Sequence, residues 1–168
     1  MTDFRKGWYL LYTLPRQEKK ISRQLLEMNV THYLPVVKTL RQWSDRVKTL
    51  YEPLFPSYLF IYLQNSQDYF TGLNADGVVG YVKFGGKIAL VADAVVNDLR
   101  LVVGSGEALE VSSIEFQPGQ MLIIAEGAFA GLQGEMVQHK NKEMLIIRIN
   151  LLKRNILVEL PVAQLIGV

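Results

Sequence analysis

Arg16, Lys19, Lys20 and Arg23 recur at i, i+3, i+4 and i+7, the spacing that gathers side chains onto one face of a helix. Four cations in such a stripe can bind phosphates, which adds affinity for a polyanion without reading its sequence. Farther along, Arg41, Trp43 and Arg46 set an indole between two guanidinium groups. Proteins that hold single-stranded nucleic acid combine charge and ring in this way, the cation for the backbone and the aromatic face for a base. A third group is aromatic alone. In YLFIYL, residues 58–63, Leu59, Ile61 and Leu63 share one side of an extended strand, and Tyr58, Phe60 and Tyr62 share the other. Both sides are apolar, so each needs a cover, from the same domain or from a partner.

All three are chemistries of association. Catalysis has little to work with. The chain lacks cysteine, which excludes a disulfide scaffold, a thiolate zinc site and a cysteine nucleophile together. His32 and His139 are the only histidines, and no nucleophile elbow, phosphate loop or metal-ligand spacing accompanies them. His32 reads as structural and Gly85–Gly86 as a turn. No enzyme activity, cofactor or metal is expected.

The positioning elements follow from periodicity. WYLLYTL (8–14) reads as a strand stopped by Pro15, and the next segment as a helix with Ile21, Leu25 and Met28 opposite the cations. THYLPVVKTL (31–40) reads as a second strand, and RQWSDRVKTLYE as a basic hairpin or loop that carries Trp43. Ser66 is expected to cap a short helix over 65–74, and GVVGYVKFGG (77–86) to be a strand ending in a turn. Asp93 would cap a third helix, with Val95, Val96, Leu99, Val102 and Val103 along one side. This is an α+β layer, an antiparallel sheet with flanking helices. After residue 104 the Gly, Ser and Glu content rises, and short apolar runs separated by Gly, Lys, Asn and Pro follow. A flexible linker over 105–117 and a small five-stranded β-barrel over 118–168 are expected, with the α+β domain at 1–104.

Net charge is +2, unevenly spread: residues 1–50 hold ten Lys/Arg against four acids, and the remainder eight against twelve. The basic first part suits a polyanion partner, although a solvated charged surface gives the same signature. No stretch approaches the ~20 apolar residues of a membrane span, so a cytoplasmic protein without membrane contact is expected, working as a monomer.

WYLLYT, EPLFPSYLFI, GVVGYVKFGG and PGQMLIIAEGAFAGLQGEMV, in that order, resemble the NusG family of bacterial transcription elongation and antitermination factors, with an N-terminal NGN domain and a C-terminal KOW domain. The likeness spans nearly the whole chain. EPLFPSYLF and LRQWSDR are more similar to specialised paralogues of the RfaH and UpxY kind than to the housekeeping factor.

The resemblance implies that the chain docks on the clamp helices of the largest subunit of RNA polymerase and suppresses pausing or termination. Phe55, Tyr58 and Phe60 would make that contact, with Tyr12, Val96 and Leu99 beside them. On residues alone, burial of the aromatic side under a helix of the same domain is the favoured reading. The resemblance likewise assigns Arg16, Lys19, Lys20, Arg23, Arg41, Trp43 and Arg46 to non-template DNA at the transcription bubble. Gly127, Phe129, Gly131 and Gly134 would shape the KOW turns and anchor, and that domain would recruit a small-subunit ribosomal protein or a termination factor. Asp68, Tyr69, Phe70 and Thr71 depart from the His-Thr-Thr stretch with which RfaH-like members touch a second polymerase element. Two other readings use the same residues: a ribosome-associated RNA-binding protein that shares only the KOW barrel, and a small-molecule-sensing α+β domain with an accessory barrel.

Overall fold

The computed structural model describes residues 4–106, 109–116, 118–125, 130–149 and 152–159, and the backbone alone of 165–167. The chain divides into two units, Met1–Asp93 and Ala94–Val168.

In the first unit, β1 (Gly7–Thr13), β2 (His32–Tyr33), β5 (Tyr58–Leu63) and β6 (Val78–Tyr81) form an antiparallel sheet in the order β2-β5-β1-β6. Tyr9 faces Ile61 and Leu11 faces Leu59 across the central pair. The same four side chains pack with Ile21 and Leu25 of α1 (Glu18–Glu27), so one sheet face is closed by the apolar stripe of the helix. Each such side chain contributes roughly 1.5–3 kcal/mol on burial. Met28, expected on that stripe, lies at the helix end and is exposed. The chain turns away there: Asn29 takes φ 57, its N–H bonds to the Leu26 carbonyl and the Val30 N–H to that of Leu25. This left-handed cap satisfies the last carbonyls of the helix.

The single strand expected over 31–40 is two, β2 and β3 (Val36–Gln42), interrupted at Leu34–Pro35. The ring of Pro35 holds the preceding residue away from regular pairing and offers no N–H of its own. β3 pairs along its length with β4 (Val47–Pro53), and this two-stranded ribbon carries Trp43 in its turn. α2 (Ser66–Asn74) is capped by Asn65 rather than Ser66, because the Asn65 carboxamide oxygen accepts the Asp68 N–H at 3.0 Å. After β6 a small hairpin, β7 (Lys83–Phe84) with β8 (Lys87–Ile88), turns at Gly85 and Gly86.

α3 (Asp93–Gly104), which belongs to the second unit from Ala94 onward, buries Val96, Leu99 and Val102. β10 (Gln120–Ile124), β11 (Gln133–His139), β12 (Lys142–Ile149), β13 (Arg154–Glu159) and β14 (Leu165–Gly167) are the five expected barrel strands, all antiparallel. A sixth, β9 (Leu109–Ser112), lies in the stretch expected to be linker and pairs with β13. One face of the sheet buries Leu122, Ile124, Leu145, Ile147, Ile156 and Val158. Gly134 sits at a close approach of β11 to β12: a Cβ there would lie 2.9 Å from Leu145 Cγ and 3.0 Å from the Ile146 carbonyl oxygen. The opposite face holds a smaller cluster of Val137, Met144, Ile146 and Leu157, with Phe116 packed on it. Polar side chains fix this crossing segment: Asn155 donates to the Ile114 carbonyl at 2.8 Å and Arg148 to that of Phe116 at 3.0 Å. No helix among the described residues is long and apolar enough to cross a membrane.

Arg148 also grips Glu135 through two bonds, of 3.0 and 2.9 Å, and Glu135 accepts the Gly119 N–H. The guanidinium holds the Glu135 carboxyl below the usual carboxylate range. A depressed folded-state pKa gives stability that is present at neutral pH and lost as pH falls through that lowered value. Glu135→Gln should therefore reduce hydrogen-exchange protection of the β11 and β12 amides at pH 7, by about 1–3 kcal/mol, and the difference from the parent should shrink on acidification.

Candidate functional site

Two surfaces of the first unit collect the residues expected to act. Register places Tyr12 of β1 opposite Tyr58 of β5, with ring centroids 5.5 Å apart. Tyr12 is 43% exposed and Tyr58 half-buried, so this end of the sheet presents an aromatic pair to solvent. Phe60, on the same sheet face, is completely buried, and Phe55 nearly so, their rings meeting edge-on at 6.4 Å. Farther along that face Trp8 and Tyr62 pack edge to face at 5.2 Å. The aromatic side of β5 is therefore graded from a buried middle to an open end. Val96 and Leu99 lie in α3, fully buried, and belong to the second unit.

The open end is set by a turn. Ser57 takes φ 69, a left-handed conformation uncommon for a residue with a Cβ. Three backbone bonds surround it: the Ser57 N–H donates to Glu18 Oε1 at 2.7 Å, the Thr13 N–H to the Ser57 carbonyl at 2.9 Å, and the Tyr58 N–H to the Phe55 carbonyl at 3.2 Å. Glu18, 4% exposed, opens α1, where its charge also complements the helix dipole. One carboxylate thus joins the helix that carries the cations to the turn that aims Tyr58. In the sequence Glu18 is one acid beside a basic stripe. Its only signal is its place at the first turn of a helix, which does not disclose a partner 39 positions away.

Lys19, Lys20 and Arg23 reach solvent on the exposed side of α1, whereas Arg16, expected on the same helix, lies in the turn before it with φ 64 and is also exposed. Lys20 makes a long, exposed contact with Asp76 at 3.8 Å, the kind of pair that contributes little to stability. The Lys19 ammonium donates to the Tyr51 carbonyl of β4, which ties the stripe to the ribbon. An open cleft lies between them, lined by Arg16, Lys19, Arg41 and Tyr51. Arg41 is held by Glu52 at 2.8 Å, and Glu52 also accepts from the Thr39 hydroxyl. Trp43 is 55% exposed at the ribbon's turn, where its backbone N–H donates to the Arg46 carbonyl. Stripe, guanidinium and indole are thus on neighbouring elements, and Arg41 reaches the cleft already paired.

His32 ties β2 to α1. Its Nδ1 lies 2.9 Å from the Val30 carbonyl and its Nε2 2.8 Å from Ser22 Oγ, so the nitrogen facing the carbonyl donates and the other accepts from the hydroxyl. His139, in the other unit, meets Glu110 at 3.1 Å. No group of three or more His, Asp or Glu suited to a metal occurs among the described residues. Of the expected KOW positions, Gly131 takes φ 88 and Gly134 marks the close approach above, while Gly127 and Phe129 lie outside the described residues.

A family model described as transcription termination factor nusG matches residues 6–100. The transcription termination/antitermination protein NusG of Streptococcus pyogenes serotype M1 is 23% identical over 158 residues, 88% of either chain. The protein of the same name from Lactococcus lactis subsp. lactis is 22% identical over 176 residues, which cover 98% of this chain and 95% of that one. A solved structure of Thermotoga maritima NusG, reported for its domain interaction, superposes with a TM-score of 0.50 at 22% identity over 98% of both chains, a likeness of fold.

Removing the Glu18 carboxylate leaves the part-buried Ser57 N–H without its acceptor. Glu18→Ala should lower the unfolding free energy of the first unit in urea by about 1–3 kcal/mol, and Glu18→Gln, which keeps an acceptor oxygen, should recover part of that loss.

Proposed function

The chain belongs to the NusG family, and from that premise we propose that it binds elongating RNA polymerase at the clamp helices of the largest subunit. There it suppresses pausing and termination, as a specialised antiterminator of the RfaH and UpxY kind. The observation that carries this reading is the open Tyr12–Tyr58 pair on the sheet face where Phe60 is buried. Aromatic rings give a large contact area at small entropic cost and dominate binding hot spots. The tyrosines make the contact, and the two phenylalanines brace them from below. Val96 and Leu99, buried in α3, take no part in it.

The mechanism is non-catalytic. A ligand that binds the closed clamp more tightly than the open one depopulates the open, paused state by its difference in affinity. The stripe on α1 and the ribbon around Trp43 hold non-template DNA at the bubble, the cations on phosphates and the indole on a base. The second unit recruits a small-subunit ribosomal protein or a termination factor.

Phe60 is unsuited to a test, since truncating so buried a phenylalanine costs about 3–5 kcal/mol of stability and confounds binding with folding. Tyr12→Ala with Tyr58→Ala should keep the circular dichroism of the parent and weaken capture of core polymerase about 30-fold or more. A folded double variant that is captured like the parent rules out the clamp contact.

Lys19→Glu, Lys20→Glu and Arg23→Glu together should cut binding to bubble DNA at low salt. The slope of log affinity against log salt should become shallower by about two units, near 0.7 for each phosphate contact on a single strand. An unchanged slope means that the stripe only solvates α1.

A further inference from the structure

The β7–β8 hairpin is used by neither surface. Its strands register Lys83 with Ile88 and Phe84 with Lys87 across a turn of two glycines. Gly85 and Gly86 have φ 59 and 78, and a Cβ built on either would meet nothing within 4 Å. Two left-handed residues in a two-residue loop make the turn whose twist matches paired strands, and it stands in open space. The base of the hairpin is fixed to the sheet: the Val82 N–H donates to the Leu10 carbonyl at 2.9 Å, the Ala89 N–H to that of Val82 at 3.0 Å and the Val91 N–H to that of Trp8 at 2.8 Å.

Direct pairing puts Phe84 and Lys87 on one face of the hairpin, with Cβ atoms about 5 Å apart, and Lys83 on the other. Phe84 is 81% exposed, more than any other large apolar side chain among the described residues. A lone exposed ring means little. Here it sits on an anchored turn, has a lysine on each side, and lies in a stretch, Gly77 to Ala92, without a single Asp or Glu. That charge favours an anionic partner, and a flat ring with Lys87 on its own face of the hairpin and Lys83 on the other matches a chain that alternates flat bases with phosphates.

We propose that the β7–β8 tip is a stacking finger for single-stranded nucleic acid, Phe84 lying against an unpaired base while Lys83 and Lys87 neutralise the adjoining phosphates. The proposal rests on the reading that this unit meets an exposed strand, and it adds a second holding point. The ribbon with Trp43 leaves the sheet after β2, at one edge, and the finger leaves after β6, at the other. Four strands at about 4.8 Å spacing separate those edges by about 14 Å, so a strand held by both must cross the sheet. Every base has a π-face, so the contact reads no sequence.

The test uses the full chain and oligo(dT) of about 15 nucleotides, followed by fluorescence anisotropy. Phe84→Ala, a change at an exposed position, should weaken binding about 5-fold or more, and Phe84→Trp should restore it. With Trp43→Phe as background, fluorescence from Phe84→Trp should be quenched on adding the oligonucleotide. Lys83→Gln with Lys87→Gln should make the salt slope shallower by about one unit. If Phe84→Ala binds as the parent does while the α1 charge reversal does not, the finger is refuted and the strand contact of α1 stands. If neither variant changes binding, both readings fall. If Phe84→Ala alters binding to phosphatidylserine vesicles and not to oligo(dT), the tip is a lipid contact and the proposal is overturned.

Discussion

The antiparallel pairing of β1 with β5 is the constraint on which the first unit depends. Its register sends Tyr9, Leu11, Leu59 and Ile61 to one side of the sheet and Leu10, Tyr12, Tyr58 and Phe60 to the other. A slip of one residue would exchange these sets and turn the tyrosine pair into the helix-packed face. Burial of the first set against Ile21 and Leu25 therefore fixes where the aromatic pair stands. The exposed aromatic pair is a by-product of core packing on the reverse of the same two strands.

Each unit adds one carboxylate that holds a crossing segment by backbone N–H groups. In the first, Glu18 takes the Ser57 N–H and fixes the turn ahead of Tyr58. In the second, Glu135 takes the Gly119 N–H while Arg148 grips its oxygens and reaches on to the Phe116 carbonyl. These bonds act where apolar packing alone would leave the direction of the chain open. An acceptor that is charged and mostly buried offers few alternative geometries. Precision at the turn before β5 thus comes from a polar contact, whereas the strength of the sheet comes from apolar ones.

Local pattern carried much of this in the sequence. Alternation in YLFIYL and the stripe from Arg16 to Arg23 identified β5 and α1 with their correct faces, and the paired glycines marked the β7–β8 turn. Pro35 interrupts THYLPVVKTL, whose apolar residues on either side otherwise read as one strand. Asn65 and Ser66 are adjacent caps of similar strength, and only the geometry of the turn distinguishes them. LEVS is too short to stand out from a Gly, Ser and Glu-rich stretch, because its partner, β13, lies far along the chain. Periodicity showed that Phe60 and Tyr58 share a side. It could not show that one end of that side is closed and the other open, which depends on contacts remote in sequence.

The outermost strands of the first unit's sheet are short. β2 has two residues and β6 four, with the register shifting between Tyr12 and Thr13 where β6 meets β1. A long, straight outer strand would offer a row of free N–H and C=O groups to any extended chain nearby, including the same chain still emerging from other ribosomes. Truncated and twisted margins deny that template. Copies can crowd without zipping together, and side chains on faces and hairpin tips can change without disturbing the sheet.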